Sequence, residues 1–280
     1  MGKSQRSSIK TSGGIAMKIS RTMEEKILKW VDRAFALWPR RKPHGELLKN
    51  CRIVSHRGEH DNRTVLENTL PAFDRVLKAG VWGMELDFRW TRDLQPVVYH
   101  DSNLARLHGK PARLADLSLA QLKRDFPGVP SLEEVLARYG GKLHLMLEIK
   151  GEPYPVPARQ KDTLRQLLSP LEPLKDFHIL SLSPEMFDHV DFLPSRALVA
   201  VGTTHLKTMS RFALQAPIGG IAGHYLLLSN SMLRKHEALG QRVGTGYAAS
   251  PNVLYRELNR GVDWIFSNNA VHMQSFCQKR

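Results

Sequence analysis

The chain has 280 residues, 42% of them hydrophobic and 24% charged, with a formal net charge of +14. No stretch approaches the roughly 18 uninterrupted apolar residues of a membrane-spanning helix, and no apolar run follows the basic N-terminus as a secretory signal requires. Two cysteines, Cys51 and Cys277, exclude a disulfide framework or a zinc-ligand pattern and fit a reducing, cytoplasmic setting, although closure of a barrel would bring the two near one another.

More than half of the excess positive charge lies in residues 1–50, which read as a basic N-terminal extension ahead of one domain over residues 51–280. Such charge suits solubility, anionic lipid surfaces or phosphate-bearing substrates. No zinc-finger, RNA-recognition or helix-turn-helix pattern supports nucleic acid as a partner. Residues 1–16 are rich in Ser, Gly and Lys without periodicity and are expected to be disordered. Over residues 22–38, Ile27, Val31, Phe35 and Trp38 recur at helical spacing, and Pro39 ends the pattern before Arg40-Arg41-Lys42. The simpler reading is a helix that plugs the bottom of a barrel. The sharper one is peripheral membrane contact through residues 22–42, with Trp38 and the basic cluster at the headgroups.

From residue 51 onward strand and helix alternate. Strand-like runs fall at 52–56, 83–88, 96–100, 143–149, 177–182, 197–202, 218–223, 242–246 and 263–267, with helical patterns between many of them, as at 70–79, 131–139, 184–192, 231–239 and 252–259. This alternation predicts a parallel sheet flanked by helices, and about eight strands over this length predict a closed (β/α)8 barrel. An open doubly wound sheet is disfavoured because no Gly-rich phosphate loop follows the first strand. Nine runs are one too many; the Gly-rich 218–223 or 242–246 run is expected to be the surplus. Residues 101–130 lack a pattern and are expected to form an extended loop or small insertion.

Chemistry concentrates at the ends of the first four runs. His56 closes the first, Glu85 and Asp87 share a face of the second, His100 closes the third, and Glu148 and Lys150 share a face of the fourth. Carboxylates in apolar strands lose several kcal/mol of solvation unless compensated. One divalent cation would compensate, and all-oxygen ligation selects a hard ion, Mg²⁺ or Ca²⁺; the competing reading is a salt-bridge network with Arg57, Arg89 and Lys150. His56 and His100, flanking the acidic strand, suit the removal and delivery of protons near neutral pH. Arg57 and Lys150 suit phosphate oxygens. Asn68 or Thr69 caps the helix that follows, with Glu67 turned towards Arg57 or the metal as a supporting residue.

Several clusters resemble successive signatures of the glycerophosphodiester phosphodiesterase family. They are His56-Arg57-Gly58, Glu67-Asn68-Thr69, Glu85-x-Asp87, Thr91-x-Asp93-x-x-Pro96-Val97-Val98-x-His100-Asp101-x-x-Leu104-x-Arg106, Pro130-Ser131-Leu132-Glu133 and Leu147-Glu148-Ile149-Lys150, with Ser181-Leu182-Ser183-Pro184 and Gly261-Val262-Asp263 further on. The resemblance covers residues 52 to about 268. It implies a (β/α)8 barrel holding one divalent cation on Glu85, Asp87 and Glu148, an acid/base pair in His56 and His100, and phosphate contacts from Arg57 and Lys150. The implied reaction splits a small phosphodiester into an alcohol and glycerol 3-phosphate. The second half departs from the pattern. Gly246 or Tyr247 stands where the family carries tryptophan, and Ser267-Asn268-Asn269-Ala270 replaces Thr-Asp-x-Pro. Cleavage of a phosphodiester is therefore better supported than the usual glycerol-bearing substrate. Two other readings stand beside it: lysophospholipase D-like hydrolysis of lysophospholipids, and a barrel that binds a phosphate ligand without turnover.

Overall fold

The computed structural model describes residues 34–278. The strands among them are β1 (Ile53–His56), β2 (Gly83–Trp90), β3 (Pro96–Val98), β4 (His144–Ile149), β5 (Phe177–Ser181), β6 (Leu198–Gly202), β7 (Gly220–His224), β8 (Arg242–Gly246) and β9 (Trp264–Ser267). All but β3 run parallel in the order β1-β9-β8-β7-β6-β5-β4-β2, and β1 pairs with β2 to close the ring. With helices outside the strands, this is the expected (β/α)8 barrel.

The surplus run is β3, not either of the Gly-rich ones: β7 and β8 are both barrel strands. Only the turn Thr91–Gln95 separates β2 from β3, too few residues for a crossover helix, so β3 folds back antiparallel. The Thr91 hydroxyl clamps this turn by donating to Asp93 and accepting from the Gln95 N–H. The glycines of β7 reflect crowding. A Cβ on Gly220 would lie 1.9 Å from the Arg242 carbonyl oxygen across the β7–β8 ladder.

Side-chain alternation builds the lumen in layers. On β4, His144, Met146 and Glu148 face inward, two residues apart; on β2, Glu85 and Asp87 do so, while Met84, Leu86 and Phe88 pack outward against the helices. The middle of the lumen is apolar, with Val54, Met146, Leu180, Val199, Ala222 and Phe266. Its floor is aromatic. Trp82 stacks on His144 at 4.3 Å, His144 Nε2 lies 2.7 Å from His178 Nδ1, and His178 meets Trp264 edge-on at 4.9 Å.

His144 Nδ1 donates to the Lys175 carbonyl oxygen, so its Nε2 accepts from His178 and both rings are neutral. Burial holds His144 down at about 4 and His178 at about 3. An unfolded chain protonates these rings near their ordinary value of about 6.5, and the folded chain does so only well below it. Their contribution to stability is therefore complete above pH 6.5 and is lost as the pH falls towards 4. Urea unfolding at pH 7 and pH 4.5 should show that loss, and a His144→Leu/His178→Leu double variant should show a shallower one. An equal slope in the variant would contradict the assignment.

Predicted helices appear as Leu70–Lys78, Leu132–Tyr139, Asn230–Ala238 and Pro251–Asn259. Ser131 and Glu134 close a reciprocal capping box on the second. The run expected as a helix at 184–192 is instead a 3-10 turn, Pro184–Val190, in which Phe187 and Val190, three apart, both enter the core. Residues 101–130 do form an insertion. Its short helices Ala105–His108 and Leu119–Asp125 enclose a separate core of Val97, Tyr99, Leu104, Leu114, Leu122 and Val129.

Of the helix expected over 22–38, residues 34–37 are helical and residues 22–33 lie outside the described residues. The described part does not plug the barrel floor. It runs along helix Pro251–Asn259, where Asn252 donates to the Ala36 carbonyl and accepts from the Arg40 N–H, and Asn259 donates to the Arg41 carbonyl. Asn252 lies in the first turn after β8, so residues 36–40 sit at the level of the strands' C-terminal edge. Cys51 and Cys277 are both free and lie near one another, the neighbouring Cys277 and burial pushing the Cys51 thiol up, where the last helix packs against the start of the barrel.

Candidate active site

The C-terminal edge of the barrel gathers all eight residues singled out from the sequence. Oxygens of Glu85, Asp87 and Glu148 lie within 4.8 Å of one another, and all three residues are buried. The Lys150 ammonium pairs with both Asp87 and Glu148. Arg57 Nε lies 3.3 Å from Asp87 Oδ2. Burial, then the like charges of Asp87 and Glu148, push the Glu85 carboxyl well above its ordinary range. Burial acts on Asp87 in the same sense, but Lys150 and Arg57 outweigh it and hold that carboxyl below its usual value. Glu85 Oε1 is buried without a hydrogen-bond partner. An orphaned carboxylate oxygen in a three-carboxylate cluster fits a hard divalent cation, for which these residues could be ligands.

The turn after β1 makes this convergence possible. Arg57 adopts φ +60 and Gly58 φ +81, and a Cβ on Gly58 would fall 2.8 Å from the Ala72 Cβ. The tight turn aims the Arg57 N–H at Glu85, donating to its backbone oxygen at 3.0 Å and to Oε2 at 3.1 Å. The Arg57 guanidinium meanwhile donates to Glu67 Oε1 at 2.9 Å. Glu67 also accepts from Asn62 at 2.7 Å and from both terminal nitrogens of Arg106. Burial opposes its ionisation, but Arg106 and Arg57 prevail and draw the carboxyl down to about 2. Glu67 thus holds the Arg57 guanidinium and does not join the acidic cluster.

Each histidine is oriented through Nδ1. His56 Nδ1 donates to Asn268 Oδ1 at 2.7 Å, leaving Nε2 bare and 3.9 Å from Glu85 Oε2. His100 Nδ1 donates to Asp101 Oδ1 at 2.7 Å, and Asp101 is held by Arg106 Nε at 2.5 Å. Burial lowers both rings, His56 to about 3 with help from Arg57, His100 to about 4 against the opposing pull of Asp87. His100 does not close a barrel strand. β2 overshoots the rim to Trp90, and β3 descends until the Tyr99 N–H donates to the Asp87 carbonyl oxygen. The descent returns His100 to the height of the carboxylates.

Asn68 and Thr69 correct the helix-cap expectation. The Thr69 hydroxyl donates to the Leu66 carbonyl and gives no cap bond. Asn68, at φ +57, donates from Nδ2 to Asp87 Oδ2 at 2.8 Å and accepts the Asp87 N–H. Four contributors escaped the sequence reading: Asn68, Asp101, Arg106 and Asn268. The first three stand inside the quoted motifs, but nothing in a linear pattern tells an orienting residue from a turn residue. Asn268 stood out only as a departure from the family pattern.

Two different walls flank the cluster. Beside His100, a cavity of about 570 Å³ is lined by Arg89, Asp101, Ser102, Asn103, Ala105 and Arg106. Beside His56, the edge of Tyr247 packs at 5.2 Å, with His224 6.0 Å beyond it.

A family model described as "Glycerophosphoryl diester phosphodiesterase family" matches residues 56–271. The chain is similar to YhdW of Bacillus subtilis (strain 168), named as a candidate glycerophosphodiester phosphodiesterase, with 36% identity over 112 residues, 36% of this chain and 45% of that protein. It is also similar to lysophospholipase D GDPD1 of Homo sapiens, 42% identical over 69 residues, 25% of this chain and 21% of that protein. The chain thus spans less than half the length of these curated relatives. Among solved structures, an Oleispira antarctica phosphodiesterase in complex with the product sn-glycerol-3-phosphate superposes with a TM-score of 0.68 at 20% identity, covering 81% of this chain and 97% of that one. That likeness concerns the fold.

Proposed function

The chain belongs to the glycerophosphoryl diester phosphodiesterase family, and on that footing we propose that it hydrolyses glycerophosphodiesters to an alcohol and glycerol 3-phosphate, in phospholipid and glycerol metabolism. The observation that carries this reading is the buried Glu85–Asp87–Glu148 cluster, with an orphaned oxygen, standing between two histidines whose Nε2 atoms are bare.

Glu85, Asp87 and Glu148 would hold one divalent cation, Mg²⁺ or Ca²⁺, which supplies Lewis-acid polarisation of a phosphate oxygen when bound. Arg57 and Lys150 stand beside the same carboxylates and would turn towards the phosphate as the diester docks, spreading the charge that develops on it. Glu67 keeps Arg57 in reach. His56, whose partner is a neutral amide, remains uncharged and takes a proton from the attacking water or substrate hydroxyl. His100, whose partner is the Asp101 carboxylate, is the better holder of a proton and delivers it to the departing alcohol. Burial lowers both rings, and a bound phosphodiester anion opposes that lowering.

Two features favour lysophospholipase D-like action as the second reading: the Tyr247 wall next to His56, and the similarity to a relative named for that activity. A binding barrel without turnover accords poorly with two histidines already oriented for proton transfer. We assign residues 1–50 to a basic extension and 51–280 to the phosphodiesterase domain, in a cytoplasmic protein with peripheral membrane contact through residues 22–42. A panel of glycerophosphodiesters and lysophospholipids, assayed with Mg²⁺, Ca²⁺ and chelator, tests the function. Hydrolysis of glycerophosphodiesters that chelator abolishes and metal restores is the expected outcome. No turnover of any diester under any metal would refute it.

A further inference from the structure

The mouth of the barrel is electrically lopsided. Loops on the β1–β4 side carry Glu59, Asp61, Glu67, Asp93, Asp101 and Glu152, whereas the loops at 203–205, 225–229, 247–250 and 268–269, which follow β6, β7, β8 and β9, contain no Asp or Glu. On this acid-free side the surface is apolar. Leu226 and Leu227, directly after β7, are 40% and 42% exposed, and Leu37 and Trp38 are 82% and 66% exposed. The two pairs belong together. Phe35 meets Tyr225 edge-on at 5.6 Å, and the Arg256 guanidinium covers both rings. Arg40, Arg41 and Lys42 follow immediately and are exposed, with Arg40 over the Trp38 ring at 6.0 Å.

We propose that Leu37, Trp38, Leu226 and Leu227, edged by Arg40, Arg41 and Lys42, form a docking face for an anionic bilayer surface. Isolated exposed leucines mean little. Here four large apolar side chains come from two distant parts of the chain and share one side of the mouth with a cationic edge and no carboxylate in the neighbouring loops. Shallow insertion of Trp and Leu with Lys/Arg at the headgroups is the chemistry of interfacial binding. The face lies on the His56 and Tyr247 side, opposite the polar cavity beside His100. A phosphodiester drawn from a bilayer would then enter with its lipid-derived arm towards Tyr247 and its headgroup towards Arg89 and Asn103. This orientation rests on the phosphodiesterase reading above; the docking face deepens the membrane contact proposed there for residues 22–42 and does not depend on catalysis.

The test is co-sedimentation of the full chain with phosphatidylglycerol/phosphatidylcholine vesicles and with pure phosphatidylcholine vesicles, alongside hydrolysis of water-soluble glycerophosphocholine. Partition onto the anionic vesicles should exceed that onto neutral ones at least tenfold and weaken with salt. The Leu37→Ser/Trp38→Ala/Leu226→Ser/Leu227→Ser variant should lose it at least tenfold while hydrolysing the soluble diester as before. Light scattering on both proteins, and circular dichroism on the variant, complete the set. Vesicle binding that survives the four changes, or is absent from the parent chain, overturns the proposal. A parent dimer that the changes dissociate does so too, because a second copy would then cover the face. Failure to hydrolyse any diester, with vesicle binding intact, would sink the enzymatic reading and leave the docking face standing.

Discussion

Replacing His100 with alanine should lower turnover of glycerophosphocholine by roughly 10²–10⁴-fold, the scale of a lost general acid, and most of that loss should vanish when the leaving group is p-nitrophenol. Replacing His56 should cost as much on both substrates. The reasoning starts from the two Nδ1 partners. The Asp101 carboxylate stabilises an imidazolium on His100, and the neutral Asn268 amide does so less for His56. An alkoxide must be protonated as it leaves, whereas a phenolate of low pKa departs without help. The attacking hydroxyl needs a base in either case. Equal rescue of both variants would remove the division of labour, and rescue of His56→Ala alone would reverse it. Asp101→Asn should fall between, with a pH–rate profile whose limb for the protonated group moves to lower pH, because the amide stabilises the imidazolium less.

Glu85→Gln is the second large effect, and it separates activity from stability. Turnover should fall by at least about a hundredfold, in keeping with the loss of a group on which transition-state charge stabilisation depends. Without metal, however, the variant should melt higher than the parent. The Glu85 carboxyl is raised in the folded protein by burial and by Asp87 and Glu148, so its ionisation opposes folding. That penalty is absent below the ordinary carboxylate pKa and grows as the pH rises past it; glutamine removes it. Added Mg²⁺ or Ca²⁺ should raise the parent's melting temperature and move the variant's little. A variant that melts lower than the parent in chelator, at neutral pH, would show that Glu85 is held by contacts other than a cation.

Much of this architecture is legible as period-two alternation. Every barrel strand lies within two residues, at either end, of a strand-like run in the sequence, because lumen-facing and helix-facing positions impose that period on β2 and β4. The carboxylates and histidines were legible because polar residues closing apolar runs have few structural explanations. The errors share one cause: the decisive partner is remote in sequence. Gly220 argues against a strand at β7 in the linear sequence, whereas the close approach of Arg242 requires a glycine there. Asn68 looked like a cap because Asp87, its true partner, is 19 residues away. Asn268 lies 212 residues from His56. The run at 96–100 looked like a further barrel strand because its direction depends on the turn at Thr91, whose side-chain clamp has no periodic signature.

The return hairpin divides the reaction centre between two independently packed bodies. His56 and the carboxylates proposed to hold the cation hang on the barrel, whereas His100 and most of the cavity proposed for the departing alcohol hang on residues 96–130, which have an apolar nucleus of their own. On the proposed reading, replacements inside that nucleus reshape the cavity wall at a distance from Glu85, Asp87 and Glu148, so selectivity for the alcohol can drift while those three carboxylates stay in place. One scaffold can in this way give rise to enzymes that share a bond-breaking step and differ in what they release.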